Sequence, residues 1–152
     1  MSQPSLFAES RDTVVDEVWV YTDGGSRGNP GPAAIGAVVL DASTEPPTRL
    51  AVVSRRIGVT TNNVAEYEAV IAGLEAAAEV GARVVRVRAD SMLVVQQLKG
   101  TWKVKKPNLR ELRERALRQL DRFAEVDLEH VPREHNADAD ALVNAALDAA
   151  GP

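Results

Sequence analysis

The sequence predicts an α/β fold: a five-stranded mixed sheet with helices on both faces, its elements in the order β-β-β-α-β-α-α-β-α. Three observations carry this reading. Three apolar runs come early with only turn residues between them, which makes a hairpin meander. Helical and strand patterns then alternate, and such crossovers lay strands parallel with helices on the faces. Finally, 152 residues with 45% hydrophobic composition suit a single domain with a sizeable core.

Residues 1–12 are polar and aperiodic, a flexible tail ahead of one domain over residues 13–150. The first strand is Val14–Tyr21, where Val18-Trp19-Val20-Tyr21 joins β-branched and aromatic residues. Gly24, Gly25, Gly28 and Gly31, with Pro30 and Pro32, mark a tight turn into the second strand, Ala34–Leu40. "DASTEPPT" connects that strand to the third, Arg49–Gly58. "TTNNVAEYEAVIAGLEAAAEVG" is a helix, with Val64, Tyr67, Val70, Ile71, Leu74 and Ala78 as one stripe and Gly81 as its C-terminal cap. "ARVVRVRAD" is a strand, "SMLVVQQLKG" a helix, and "TWKVKKPN" a loop. "LRELRERALRQLDRF" is a charged helix, "EVDLEHVP" the last strand, and "NADADALVNAALDAA" the last helix, with Asn136 as its N-cap.

Composition narrows the function. There is no cysteine, hence no disulfide framework, thiolate zinc site or cysteine nucleophile. No apolar run approaches the ~20 residues of a membrane span, and the N-terminus lacks an export pattern. A cytoplasmic protein with no membrane partner is expected, and a monomer, since nothing reads as an oligomer seam. The net charge of −4 hides an asymmetry. Between Lys99 and Arg122 four lysines and five arginines face Glu111, Glu114 and Asp121, so this segment is +6 and the remainder −10. One basic ridge on an acidic body points to a polyanionic partner.

The isolated acids fall at telling places. Asp23 follows the first strand and Asp90 ends the fourth. If those strands are parallel neighbours, both acids emerge at the carboxyl edge, where ligands of open α/β sheets bind. Glu66 lies in the first turn of the long helix; Asp140 begins the last helix on the face of Val143 and Leu147, whereas Asp138 faces elsewhere. Each has a plain structural alternative. Asp23 suits a turn, and Glu66 completes a capping-box spacing with Asn63. Asp90-Ser91 suits a helix cap, and Asp140 complements a helix dipole. Together they would crowd four carboxylates at one site, which demands a cation. An all-oxygen set without His or Cys suits Mg²⁺ or Mn²⁺. Two such ions ~3.5–4 Å apart clamp the attacking and leaving oxygens of a phosphodiester, so the implied chemistry is in-line phosphoryl transfer to water.

Four blocks, "YTDGGSRGNPGPAAIGAVV", "TTNNVAEYEAVIAGLEAA", "ADSMLVVQQLKG" and "HVPREHNADADALVNAAL", resemble in order and spacing the signatures of type 1 ribonuclease H, from about Val18 to Leu147. The resemblance implies the ribonuclease H-like fold. It also implies an endonuclease that hydrolyses the RNA strand of RNA/DNA hybrids, leaving 5′-phosphate and 3′-hydroxyl ends. Block by block it maps the catalytic, metal-holding acids onto Asp23, Glu66, Asp90 and Asp140, with two Mg²⁺ ions for which Mn²⁺ substitutes. Asp23 and Asp90 would touch both ions, with Glu66 and Asp140 completing one sphere each. The glycines after Asp23 would let a nucleic-acid strand approach the backbone. Sensing of the RNA 2′-hydroxyl maps onto Ser26, Gly28, Asn29, Asn62, Asn63 and the backbone of Met92. Asn62-Asn63 also suit helix capping. Thr61 resembles part of a DNA-phosphate pocket, and the ridge with Trp102, Lys103 and Lys105 would carry the DNA strand. Arg115 and Arg118 read instead as a solvated face of Glu–Arg pairs.

Two departures stand out. The basic insertion that many members carry between the middle helices is compact here, which lowers the expected DNA-strand affinity. The loop before the last acid is "VPREHN", similar to members in which arginine replaces a mobile histidine; Arg133 is the first choice there and His135 the reserve. Rival readings are a hybrid-binding module without activity, a strand-transfer enzyme or other nuclease on the same fold, and a phosphate-binding module using the glycine turn alone. The last leaves Glu66, Asp90 and Asp140 unexplained.

Overall fold

A computed structural model describes residues 15–149; the tail expected over residues 1–12, and Val14, lie outside the described residues. Five strands form one sheet: β1 Glu17–Ser26, β2 Gly31–Asp41, β3 Thr48–Thr60, β4 Val84–Ala89 and β5 Glu125–His130. Four helices join them: α1 Asn62–Glu79, α2 Met92–Lys99, α3 Pro107–Leu120 and α4 Ala137–Ala149. A short 3₁₀ turn over Arg133–His135 precedes α4. The strand order is β3-β2-β1-β4-β5, with β1–β2 and β2–β3 antiparallel and β1–β4 and β4–β5 parallel.

Adjacent residues of β2 show the two layers. Ile35 packs on Ala69 and Ala72 of α1, while Ala34 packs on Val143 and Leu147 of α4. Helices therefore lie on both faces, as expected. The helix α1 is buried well beyond its predicted stripe. Its small residues Ala65, Ala69, Ala72 and Gly73 lie against the sheet. Tyr67, Val70, Ile71 and Leu74 share the main core with Val18, Val20, Val85 and Val87 of the sheet and Leu109, Leu112 and Ala116 of α3. An alanine- and glycine-rich inner face lets this helix sit close to the strands.

The opposite face over β1, β4 and β5 is covered differently. Arg86 and Arg88 alternate with the inward valines of β4 and form ion pairs with Glu17 and Asp127, both at 2.8 Å. The Arg88 guanidinium also stacks 4.6 Å above the Trp19 ring, which in turn stacks on Tyr21.

Two expectations are corrected. The first strand does not end at Tyr21: β1 continues through Asp23 to Ser26, pairing Asp23 with Gly36 and Gly25 with Ala34. Glycine disfavours strands locally, but the ladder to β2 outweighs that preference. The turn shrinks accordingly to the residues around Gly28, which has φ +99°. Nor does Asn63 cap α1. Thr61 occupies the N-cap, its hydroxyl accepting from the Val64 amide at 3.3 Å, so Glu66 is not the partner of an Asn63 capping box.

Candidate active site

The parallel register ends with Thr22 beside Ala89, so the next residues, Asp23 within β1 and Asp90 just past β4, come together where the two strands part. The approach of α1 is set by Gly24. A Cβ there would strike the Ala65 carbonyl and lie 2.7 Å from the Glu66 nitrogen. The bare Cα lets the start of α1 rest on β1 and brings Glu66, which lies just past the first turn and not within it as expected, to the cleft. The glycine expected to admit a nucleic acid thus admits the protein's own helix. Gly36 does the same on the other face, where a Cβ would lie 2.9 Å from Leu142 Cβ and strike the Ala139 carbonyl of α4. Asn136 completes the docking of α4: its side-chain amide donates to the Thr22 carbonyl at 2.9 Å, and its own carbonyl accepts from the Asp140 amide at 3.1 Å. Asn136 therefore stands where the sequence placed the cap, but its side chain ties α4 to β1 instead of capping.

Asp23, Glu66, Asp140 and Arg133 line one open cleft, with Asn62 and Asn63 at its rim. Asp90, whose side chain is 8% exposed, lies beneath it, and Arg133 Nε stands 3.9 Å from its Oδ2. Burial pushes the Asp23 carboxyl up to about 8, reinforced by the charge of Asp90 and by hydrogen bonding and charge from Asp140. Glu66 is pushed up to about 7, first by burial; a Ser91 hydrogen bond opposes this, Asp90 adds to it, and Arg133 opposes it. Asp90 is thus the neighbour common to Asp23 and Glu66. Acids crowded and buried in this way favour the approach of positive charge to the site. No group of three or more His, Asp or Glu among the described residues is arranged as a ready ligand set; the acids interact in a chain, Asp140 with Asp23, Asp23 with Asp90 and Asp90 with Glu66. Ser91 does cap α2, accepting from Val94 N at 3.2 Å, so Asp90 is not the cap.

The other predicted residues divide. Ser26, Asn29 and Asn62 form one staple: Asn62 Oδ1 accepts from the Ser26 amide at 2.9 Å and its hydroxyl at 3.1 Å, and Asn62 N donates to Asn29 Oδ1 at 3.0 Å. Gly28 turns the hairpin beside them. Thr61, Asn29 and Asn63 share a small cavity with Lys106 and Asn108. Met92 begins α2 and is 41% exposed. Trp102 and Lys103 flank a further cavity with Arg110 and Arg113, and Lys105 is exposed beside it. His135 lies apart from the acids, in a cavity with Tyr21, Val38 and Leu40. Arg115 pairs across helices with Glu68 of α1 at 3.2 Å, not along its own helix.

Asn144 and Asn108 do not stand out in the sequence. Asn144 donates to Asp140 Oδ2 at 3.4 Å, and its i+4 spacing from Asp140 on one helix is the signal that could have found it. Asn108 has none, because it meets Thr61 and Asn63 only through the packing of α3 on α1.

A sheet ordered β3-β2-β1-β4-β5, with acids crowded where β1 and β4 part, defines the ribonuclease H-like class of α/β proteins. A family model described as "Reverse transcriptase-like" matches residues 21–146. The chain is 49% identical over 134 residues to the bifunctional protein Rv2228c of Mycobacterium tuberculosis, spanning 88% of this chain and 36% of that protein. It is 48% identical over 131 residues to ribonuclease HI of Halobacterium salinarum, spanning 86% of this chain and 64% of that one. The solved structure of the Rv2228c N-terminal RNase H domain, made as a fusion with maltose-binding protein, has TM-score 0.82 and 48% identity, covering 86% of this chain and 98% of that one. LC11-RNase H1 in complex with an RNA/DNA hybrid has TM-score 0.81 and 45% identity, covering 88% and 98%. This chain belongs to the type 1 ribonuclease H family.

Proposed function

We propose that this chain is an endonuclease that hydrolyses the RNA strand of RNA/DNA hybrids, leaving 5′-phosphate and 3′-hydroxyl ends, and that it works as a cytoplasmic monomer. The observation that carries the reading is the convergence of Asp23, Glu66, Asp90 and Asp140, from four separate elements, on one cleft where Asp23 and Glu66 are driven toward neutrality. Their all-oxygen chemistry fits two Mg²⁺ or Mn²⁺ ions, which when bound supply charge neutralisation at the scissile phosphate and an activated water. Asp23, Glu66, Asp90 and Asp140 are the residues that would hold the ions.

The remaining residues bind and orient. The Ser26–Asn29–Asn62 staple engages the side-chain oxygens of Asn29 and Asn62, so their side-chain N–H groups are the donors they would offer a ligand. With Asn63 and the backbone of Gly28 and Met92, they would read the 2′-hydroxyls that mark the RNA strand. Thr61, Lys106 and Asn108 would hold a phosphate of the DNA strand, and Trp102, Lys103 and Lys105 would carry its continuation. Arg133 stands over the acids and would steer the substrate phosphate and its release; His135 takes no part.

The test is cleavage of hybrid, duplex DNA and duplex RNA, with Mg²⁺ and with EDTA. Hybrid alone should be cut, in its RNA strand and only with the ion; equal cutting of duplex DNA would favour a different nuclease, and none a binding module. Two further results are expected. Replacing Lys103 and Lys105 together by alanine should make the log–log salt dependence of hybrid binding shallower by about 2, one for each phosphate left without its lysine. A wild-type affinity indifferent to salt would remove the ridge from the interface. Arg133→Ala should lower steady-state turnover about tenfold by weakening charge stabilisation, while His135→Ala stays within about twofold of wild type. The reverse order would move the role to His135.

A further inference from the structure

The basic loop between α2 and α3 is anchored from below by buried polar groups that belong to no cleft. Tyr67, fully buried on α1, donates its hydroxyl to Gln97 Oε1 at 2.6 Å. Gln97, buried on α2, donates its side-chain amide to the carbonyl of Lys103 at 3.2 Å. Burial pushes the Tyr67 phenol up to about 12, which keeps it a donor at working pH. From α3, Arg113 Nε donates to the Gln97 carbonyl at 2.7 Å, and Arg110 Nε to the Val104 carbonyl at 2.9 Å. Successive loop carbonyls are thereby held from two helices, while Trp102, Lys103 and Lys105 remain exposed.

Apolar side chains of similar size would fill positions 67 and 97 without the cost of desolvating a hydroxyl and an amide. What the polar pair adds is a fixed carbonyl at Lys103, reached through two hydrogen bonds from the middle of the core. We propose that Tyr67 and Gln97 are positioning residues for nucleic-acid binding. They hold the Trp102–Lys105 loop in its binding shape before substrate arrives, so its ordering cost falls on folding and not on association. The proposal rests on the hybrid-binding reading of that loop.

The test uses Gln97→Met and Tyr67→Phe in a Trp19→Phe background, where Trp102 is the sole tryptophan. The readouts are Trp102 anisotropy without nucleic acid, KM and kcat on hybrid, and the melting temperature. Both variants should lower the anisotropy and raise KM about fivefold, with kcat within about twofold. Adding Lys103→Ala to Gln97→Met should cost less than it does alone, because the lysine is already misplaced. A fall in melting temperature with anisotropy and KM unchanged would overturn the proposal, as would kcat falling in step with affinity. If Gln97→Met fails to fold, Tyr67→Phe, which removes a single oxygen, carries both readouts. Should the wild type fail to bind hybrid, the functional reading fails separately. Trp102 anisotropy then decides the relay alone: a fall upholds it and no change overturns it.

Discussion

Asp23→Asn is expected to abolish hybrid hydrolysis and at the same time make the metal-free protein more stable. Losing a shared ion ligand should cost about 4 kcal/mol of transition-state stabilisation, a rate loss of ~10³-fold or more. The stability gain follows from the same crowding. Burial, Asp90 and Asp140 raise the Asp23 carboxyl from 3.8 to about 8 in the folded chain. Below pH 4 the group is protonated whether folded or unfolded, so it has no effect. As pH rises from 4 through 8 the unfolded chain sheds this proton more readily, and the fold loses stability progressively; above 8 the loss is complete. Asparagine removes that penalty. In EDTA at pH 8–9 the variant should melt at least ~5 °C above wild type, a gain that vanishes near pH 4. Melting curves across pH, beside cleavage rates in Mg²⁺, check both halves. A variant destabilised at pH 9 would mean that Asp23 is held by favourable contacts rather than by strain among acids.

Gly24→Ala and Gly25→Ala, neighbours in one motif, are expected to behave oppositely. At Gly24 a Cβ meets only backbone, the Ala65 carbonyl and the Glu66 nitrogen, and neither can rotate away. The start of α1 must lift off β1, at a cost of about 3 kcal/mol. Glu66 moves with it, and a shift of about 1 Å at a catalytic group costs ~10²-fold in rate. At Gly25 the nearest atom is Val143 Cγ1 at 3.8 Å, an ordinary contact, so stability should stay within about 1 kcal/mol of wild type. Urea midpoints of the two variants make the comparison. Equal losses would show that the glycines serve strand conformation and not the seating of α1.

That contrast marks the limit of what the sequence reveals. Periodicity located every strand and helix, because the alternation of valine with arginine in β4 and the apolar stripe of α1 are local consequences of which faces are buried. The four acids stood out in the sequence because they fall at expected strand ends and helix starts; of these, Asp90 does follow its strand and Asp140 does lie in the first turn of its helix. What could not be read were matters settled by a distant partner. Asp23 lies inside β1, not after it, because Gly36 pairs with it. In "TTNN" four successive residues are able to cap a helix, and tertiary contacts choose among them. Thr61 takes the cap while Asn62 is drawn to Ser26 across the hairpin. Arg115 reads as part of a solvated face, but Glu68 of another helix claims it. Arg133 and His135 are two residues apart in one turn, yet one stands over Asp90 and the other on the far side.

The most direct measurement counts cations. Mn²⁺ binding is followed by the electron paramagnetic resonance of free ion, with the protein bound to a hybrid made uncleavable by 2′-fluoro substitution. The wild-type complex should take up two ions above the hybrid alone, and Asp23→Asn and Asp90→Asn no more than one. Uptake equal in all three proteins, or no uptake by any, would contradict a site built from these carboxylates.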